Sequence, residues 1–126
     1  MVARSDIILE MTSDNSTQTV TIYKAPQPGL AQKLLRDGFQ PADFPNNPPY
    51  ENGKCYFAAP DSRSLAEEYN NHYQQGILEV IIDKQTYEIT FKPLEKFYQG
   101  GPSIELAIPH NLFPILNQFP RILKQQ

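Results

Sequence analysis

The stretch "GKCYFAAPDSRSLAEEY", residues 53–69, changes its periodicity halfway along, and that change sets the fold class. Cys55 to Ala59 form a short apolar run that reads as a buried strand. From Pro60 onward the pattern becomes helical. Leu65, Ala66, Tyr69 and Tyr73 recur at the spacing of one helix face, which predicts that they point to a core. Asp61 or Ser62 is placed to cap the first amides of this helix, and Gly76 to end it.

Upstream lies "QPADFPNNPPYENGK", residues 40–54, whose four prolines and three asparagines forbid both helix and central strand. A loop of this length inside a compact domain is uncommon, which makes it a candidate lid. Before it, "PQPGLAQKLLRDGF" predicts a short helix in which Pro28 sets the first turn, Leu30, Leu34 and Leu35 share a face, and Gly38 caps the end. "TQTVTIYKA" before that helix alternates polar and apolar β-branched residues, as a strand with one buried face does. Near the start, "IILEMT" suits an edge strand.

Downstream, "ILEVIID" and "TYEITF" predict two strands joined across Lys84 and Gln85, although neither joining residue favours the positive φ of a two-residue hairpin. A strand "SIELAIP" follows, then a turn of helix broken at Pro114 and a closing strand "PRILK". The expected architecture is α+β: one domain over residues 1–126, with two small packed antiparallel or mixed sheets, a central cleft between them and two short helices.

Composition limits the function. The chain has 40% hydrophobic and 20% charged residues, close to globular averages. A net charge of −3 and a pI near 5.3 lack the basic footprint of phosphate contacts, so nucleic acid is disfavoured as a partner. No apolar run is long enough to span a bilayer and no signal-peptide core develops. The chain therefore reads as cytoplasmic, or as a domain delivered within a larger secreted toxin. The single Cys55 permits no internal disulfide and, with His72 and His110, makes no zinc pattern, so no metal is expected. Neither histidine has a nucleophile near it in sequence, and Ser62, Ser64 and Ser103 sit in no nucleophile elbow, which argues against hydrolase triads. An endoribonuclease-like site is a poor fit to two histidines in an acidic chain.

The order of elements resembles the ADP-ribosyltransferase superfamily, small bacterial toxin domains among them, over roughly residues 18 to 110. The resemblance runs from a strand with "IYKAP" through a helix to Gly38, then "YFAAPDSRSLAEEY", "GILEVIID" and "GGPSIELAIP". It implies NAD as substrate and either transfer of ADP-ribose to a macromolecular acceptor or hydrolysis of NAD. It also implies a toxin or effector role with a neutralising partner protein. Glu105 falls on the family's catalytic glutamate, where a carboxylate on the ribose hydroxyl stabilises an oxocarbenium-like centre. Tyr23 and Lys24 fall on the tyrosine–histidine or tyrosine–arginine pair that contacts NAD, with lysine a departure that loses the planar fork of guanidinium. Tyr56 and Phe57 fall on the nicotinamide side of the cleft, where "YFAA" replaces a Ser-Thr-Ser phrase, and Tyr69 is the second stacking candidate. Tyr98 and Gln99 fall in the target-recognition loop. Ser103 stands where arginine-modifying members carry a second acid, which disfavours arginine as acceptor.

Each of these residues also has a plainer reading. The alternation of "SIELAIP" suits any half-buried strand with Glu105 outward, Lys24 suits a solvated strand end, and the tyrosines suit core packing. Cys55 reads as a buried small hydrophobe. A catalytically degenerate module that binds a protein or nucleotide is the alternative to the enzyme.

Overall fold

The structure is a computed structural model that describes residues 18–45 and 53–125. The expected edge strand "IILEMT" and the middle of the Pro-rich loop lie outside the described residues. In chain order the strands are β1 (Thr19–Lys24), β2 (Cys55–Ala58), β3 (Ile77–Asp83), β4 (Glu95–Phe97), β5 (Ile104–Ile108) and β6 (Arg121–Lys124). The helices are α1 (Ala31–Asp37), α2 (Arg63–Tyr73), α3 (Lys84–Thr86) and α4 (Phe113–Leu116).

The chain is α+β, but its strands form one open antiparallel sheet, ordered β4-β5-β2-β1-β3-β6, instead of the two packed sheets expected. Its centre explains the difference. β1 and β3 pair along all of β1, from Thr19↔Asp83 to Lys24↔Leu78, whereas β1 and β2 share the single register pair Tyr23↔Ala58. Continued past Ala58, the register would set Pro60 against Thr21, at a position where β2 turns its backbone groups toward β1. Pro60 has no N–H to extend that ladder, and beyond Tyr23↔Ala58 the two central strands part. The sheet is thus two three-stranded halves joined over a short seam.

The halves share one core. Ile22, Leu34, Phe57, Leu78, Ile82, Phe91 and Leu106 are buried together on one face of the sheet. Phe39, Phe44, Phe57 and Phe113 pack there with ring centroids 5.4 to 6.4 Å apart. Phe44 is fully buried, so the described start of the Pro-rich loop is anchored in this core. The opposite face carries a smaller cluster of Ala58, Leu65, Ala66 and Ile77, with α2 lying over it and Tyr23 and Tyr98 packed alongside.

Several local expectations are corrected. "TYEITF" is not a strand: α3 continues through a π-helical stretch, Tyr87–Phe91, into the 3₁₀ turn Lys92–Leu94. Asp83 starts this segment by accepting the Thr86 N–H at 2.8 Å. β4 follows it, an element absent from the sequence reading. Ser62 does not cap α2 with its side chain, and α2 ends at Gln74 in the left-handed region, not at Gly76. Gly76 instead gives its N–H to Asn70 Oδ1 at 2.9 Å, and a Cβ there would meet the Lys124 carbonyl at 2.8 Å. Pro114 lies in the first turn of α4 and does not break it.

Candidate functional site

Each central strand contributes to one cleft of about 510 Å³ beside α2. The cleft is lined by Tyr23 and Lys24 from β1, Tyr56 and Phe57 from β2, Glu105 from β5, Tyr69 from α2, and Tyr98 and Gln99 from the turn after β4. All eight residues singled out in the sequence are therefore brought together. Strand register explains much of this. Glu105 stands opposite Ala58, which stands opposite Tyr23, so all three lie on the face of the sheet that α2 covers. Lys24 and Phe57 are one residue out of that alternation and project to the main core. They line the cleft because it reaches into the seam where β1 and β2 part.

Lys24 closes that seam from behind. The Ala59 N–H donates to the Ile104 carbonyl at 2.9 Å, so by the two-residue alternation Tyr56 turns its carbonyl away from β5 and toward β1. The Lys24 Nζ donates to that carbonyl at 3.1 Å. The ammonium also lies 5.4 Å from the Phe44 ring centre and 5.7 Å from that of Phe57, within cation–π range. Its side chain is buried, which departs from the solvated strand-end charge that its position alone suggested.

Glu105 is half-buried in the cleft. Burial pushes its carboxyl above the ordinary carboxylate range, and the Lys24 ammonium opposes that shift. Ser62 steadies the start of β5: its Oγ accepts the Ile104 N–H at 2.8 Å, immediately before Glu105. Ser62 is thus a support of the site, a role its place in a capping pattern concealed.

The rim is aromatic. The Tyr69 hydroxyl donates to the Tyr98 hydroxyl at 3.0 Å, linking α2 to the turn after β4. The Tyr69 ring meets Tyr98 edge to face at 6.1 Å and stacks with Tyr73 at 6.3 Å. Burial raises the Tyr69 pKa, and the Tyr98 hydroxyl and the Glu105 charge add to the rise. Burial likewise raises the Tyr23 pKa, with Glu79 adding to it and Arg63 opposing. The Arg63 guanidinium lies 5.6 Å from the Tyr23 ring centre and pairs with Glu67.

Six further residues line the cleft, and two of them, Gln27 and Tyr73, bring polar groups to it. Tyr73, whose helical spacing predicts a core position, faces the cleft, and Gln27, from the turn after β1, donates to the Tyr73 hydroxyl at 3.4 Å. No sequence signal marks Gln27. Cys55 is fully buried in the main core, and burial pushes its thiol up to about 11.

Among the described residues no cluster of three or more His, Cys, Asp or Glu side chains is placed to hold a metal ion. No helix among them is long and apolar enough to cross a membrane. The site thus combines one carboxylate, one buried ammonium and a tyrosine-rich wall at the division of an antiparallel α+β sheet. No family model matches the chain, and no curated protein or solved structure matches it significantly.

Proposed function

We propose that the protein is an NAD-binding domain of the ADP-ribosyltransferase type. It breaks the bond between nicotinamide and ribose and passes ADP-ribose to a macromolecular acceptor or to water. The observation that carries this reading is the convergence of Glu105, Tyr56, Tyr69 and Tyr98 on one cleft. In the reaction the electron pair of the N-glycosidic bond leaves with nicotinamide, and positive charge develops on the ribose. The Glu105 carboxylate accepts a hydrogen bond from a ribose hydroxyl and stabilises that charge, an interaction strengthened where water is excluded. The tyrosine rings offer faces to the pyridinium. In an active domain this chemistry suits a toxin or effector, and such a protein needs a neutralising partner.

A second reading, a degenerate cleft that binds without catalysis, is favoured by one observation: the Lys24 ammonium is committed to the Tyr56 carbonyl. Nicotinamide release from NAD by the intact protein separates the two. The enzyme reading expects release by the wild type and a loss of about 100-fold or more in Glu105→Gln, the scale of removing one stabilising group. Dependence on added cell lysate distinguishes transfer from hydrolysis. No release from either protein supports the degenerate module, whereas equal release by both removes Glu105 from the catalytic role.

A further inference from the structure

We infer that the acceptor is a carboxylate, so that ADP-ribose passes to an aspartate or glutamate side chain of a protein, and that Lys96 holds that carboxylate beside Glu105. This rests on the reading of the cleft as a site of NAD cleavage and names the acceptor for it. The strand register carries the argument. One cross-strand row runs through the whole sheet: Lys96 on β4 stands opposite Glu105 on β5, followed by Ala58 on β2, Tyr23 on β1, Glu79 on β3 and Ile122 on β6. Residues directly opposite one another share a face, so Lys96 and Glu105 are neighbours on the face that α2 covers. Ala58 and the cleft lie on one side of Glu105, and Lys96 lies on the other. Tyr98, two residues after Lys96, gives its N–H to the Ser103 carbonyl at 2.8 Å, which carries the ladder toward the rim of the cleft that Tyr98 lines. Lys96 is exposed and forms no ion pair with a described residue, Glu105 included. Its ammonium is thus available at the outer flank of Glu105, whereas the buried Lys24 ammonium is committed to the Tyr56 carbonyl.

An acceptor must bring an electron pair to the ribose carbon that nicotinamide leaves. A carboxylate carries that pair already ionised. One of its oxygens bonds to the anomeric carbon as the bond to nicotinamide breaks, the electrons of that bond leave with nicotinamide, and the product is an ester with no proton to remove. A hydroxyl, amine or guanidinium acceptor has a proton to shed, and in this reaction Glu105 is taken up by a ribose hydroxyl. The obstacle for a carboxylate is repulsion from Glu105, and a cation on the outer flank offsets it. A charge-assisted hydrogen bond from the ammonium to one carboxylate oxygen leaves the other free to attack. The net charge of −3 favours a protein over a nucleic acid as the carrier of that anion.

The test incubates the intact protein with NAD in cell lysate, maps the residues that carry ADP-ribose by mass spectrometry, and measures nicotinamide release in the same reactions. We expect ADP-ribose on aspartate and glutamate, in a linkage that neutral hydroxylamine cleaves as it cleaves an ester. In Lys96→Gln the ester formed per nicotinamide released should fall by about 10- to 100-fold, the scale of one charge-assisted hydrogen bond, and Lys96→Arg should retain it. Because each yield is divided by the NAD cleavage of the same protein, a loss of folded protein does not imitate that fall. ADP-ribose on other side chains or on nucleic acid, release with no linked ADP-ribose, or an unchanged ratio in Lys96→Gln overturns this inference and leaves the NAD reading standing. No nicotinamide release from the wild type overturns the NAD reading and this inference with it.

Discussion

At the residue scale, Glu105 is pulled two ways, since burial favours its neutral form while the Lys24 ammonium favours its charged form, and burial prevails. Its folded pKa therefore lies above its unfolded one, and the folded chain holds more protons across the interval between them. The stabilising contribution is complete below the ordinary carboxylate pKa of about 4.3 and is lost as pH rises through the raised value. Glu105→Gln has no such dependence. We expect the melting temperature of Glu105→Gln to gain on that of the wild type as pH goes from about 4 to 7, by a few degrees at most for a half-exposed group. A melting-temperature difference that is constant with pH would mean that attraction to the Lys24 ammonium balances desolvation, and one that reverses would mean that it outweighs it. The same carboxylate would then carry catalysis and stability together, whereas the expected result sets them against each other, as charged groups held for function in a partly dry cleft often are.

At the element scale, the sequence was legible wherever one periodicity stood alone. β1 and β3 carry a clean repeat of 2 that their buried residues follow, while the 3.6 repeat of α2 buries Leu65 and Ala66 but leaves Tyr69 and Tyr73, expected on the same core face, at the cleft. Between Asp83 and Phe97 two periodicities compete. Tyr87, Ile89 and Phe91 alternate as a strand does, yet Tyr87 and Phe91 are also four apart, and the structure buries that pair while leaving Ile89 69% exposed. The helical side wins because Asp83 caps the turn, neither Lys84 nor Gln85 supports a tight hairpin, and the Tyr87 hydroxyl reaches Glu95 at 2.5 Å. β4 was hidden because its three residues, Glu95 to Phe97, carry no burial pattern and depend on pairing with β5. The site was more legible than this region, because Glu105, Tyr23 and Tyr56 ride on well-patterned strands, whereas Gln27 comes from a turn. Two substitutions test the helical assignment by urea unfolding. Ile89→Lys should change stability by no more than about 0.5 kcal/mol, as an exposed position allows, while Phe91→Ala should cost about 3–5 kcal/mol. A strand with Ile89 and Phe91 on one buried face would make both costly.

At the scale of the whole molecule, the cleft exists because the sheet is nearly divided, and the question is what keeps the halves together. Backbone pairing between β1 and β2 amounts to Tyr23↔Ala58, which cannot hold two three-stranded units by itself. The main core spans the division, since Ile22 and Leu78 come from one half and Phe57 and Leu106 from the other. Lys24 spans it as well, with its stem on β1 and its ammonium on the β2 carbonyl of Tyr56. Two effects oppose each other in Lys24→Met. Methionine fills similar volume and removes the cost of burying a charge, but it strips the Tyr56 carbonyl of that donor and leaves Glu105 without its nearby ammonium. A hydrogen bond from a charged donor is worth more than a neutral one, so its loss together with the attraction to Glu105 should prevail. We expect Lys24→Met to lower the unfolding free energy by about 1–3 kcal/mol. The shared core should still keep unfolding to one transition, with tyrosine fluorescence and far-ultraviolet circular dichroism changing together. A variant as stable as the wild type would remove the ammonium from among the ties between the halves. Separated transitions would mean that the core is too weakly shared to couple them, and the cleft would then lie between two units that open independently.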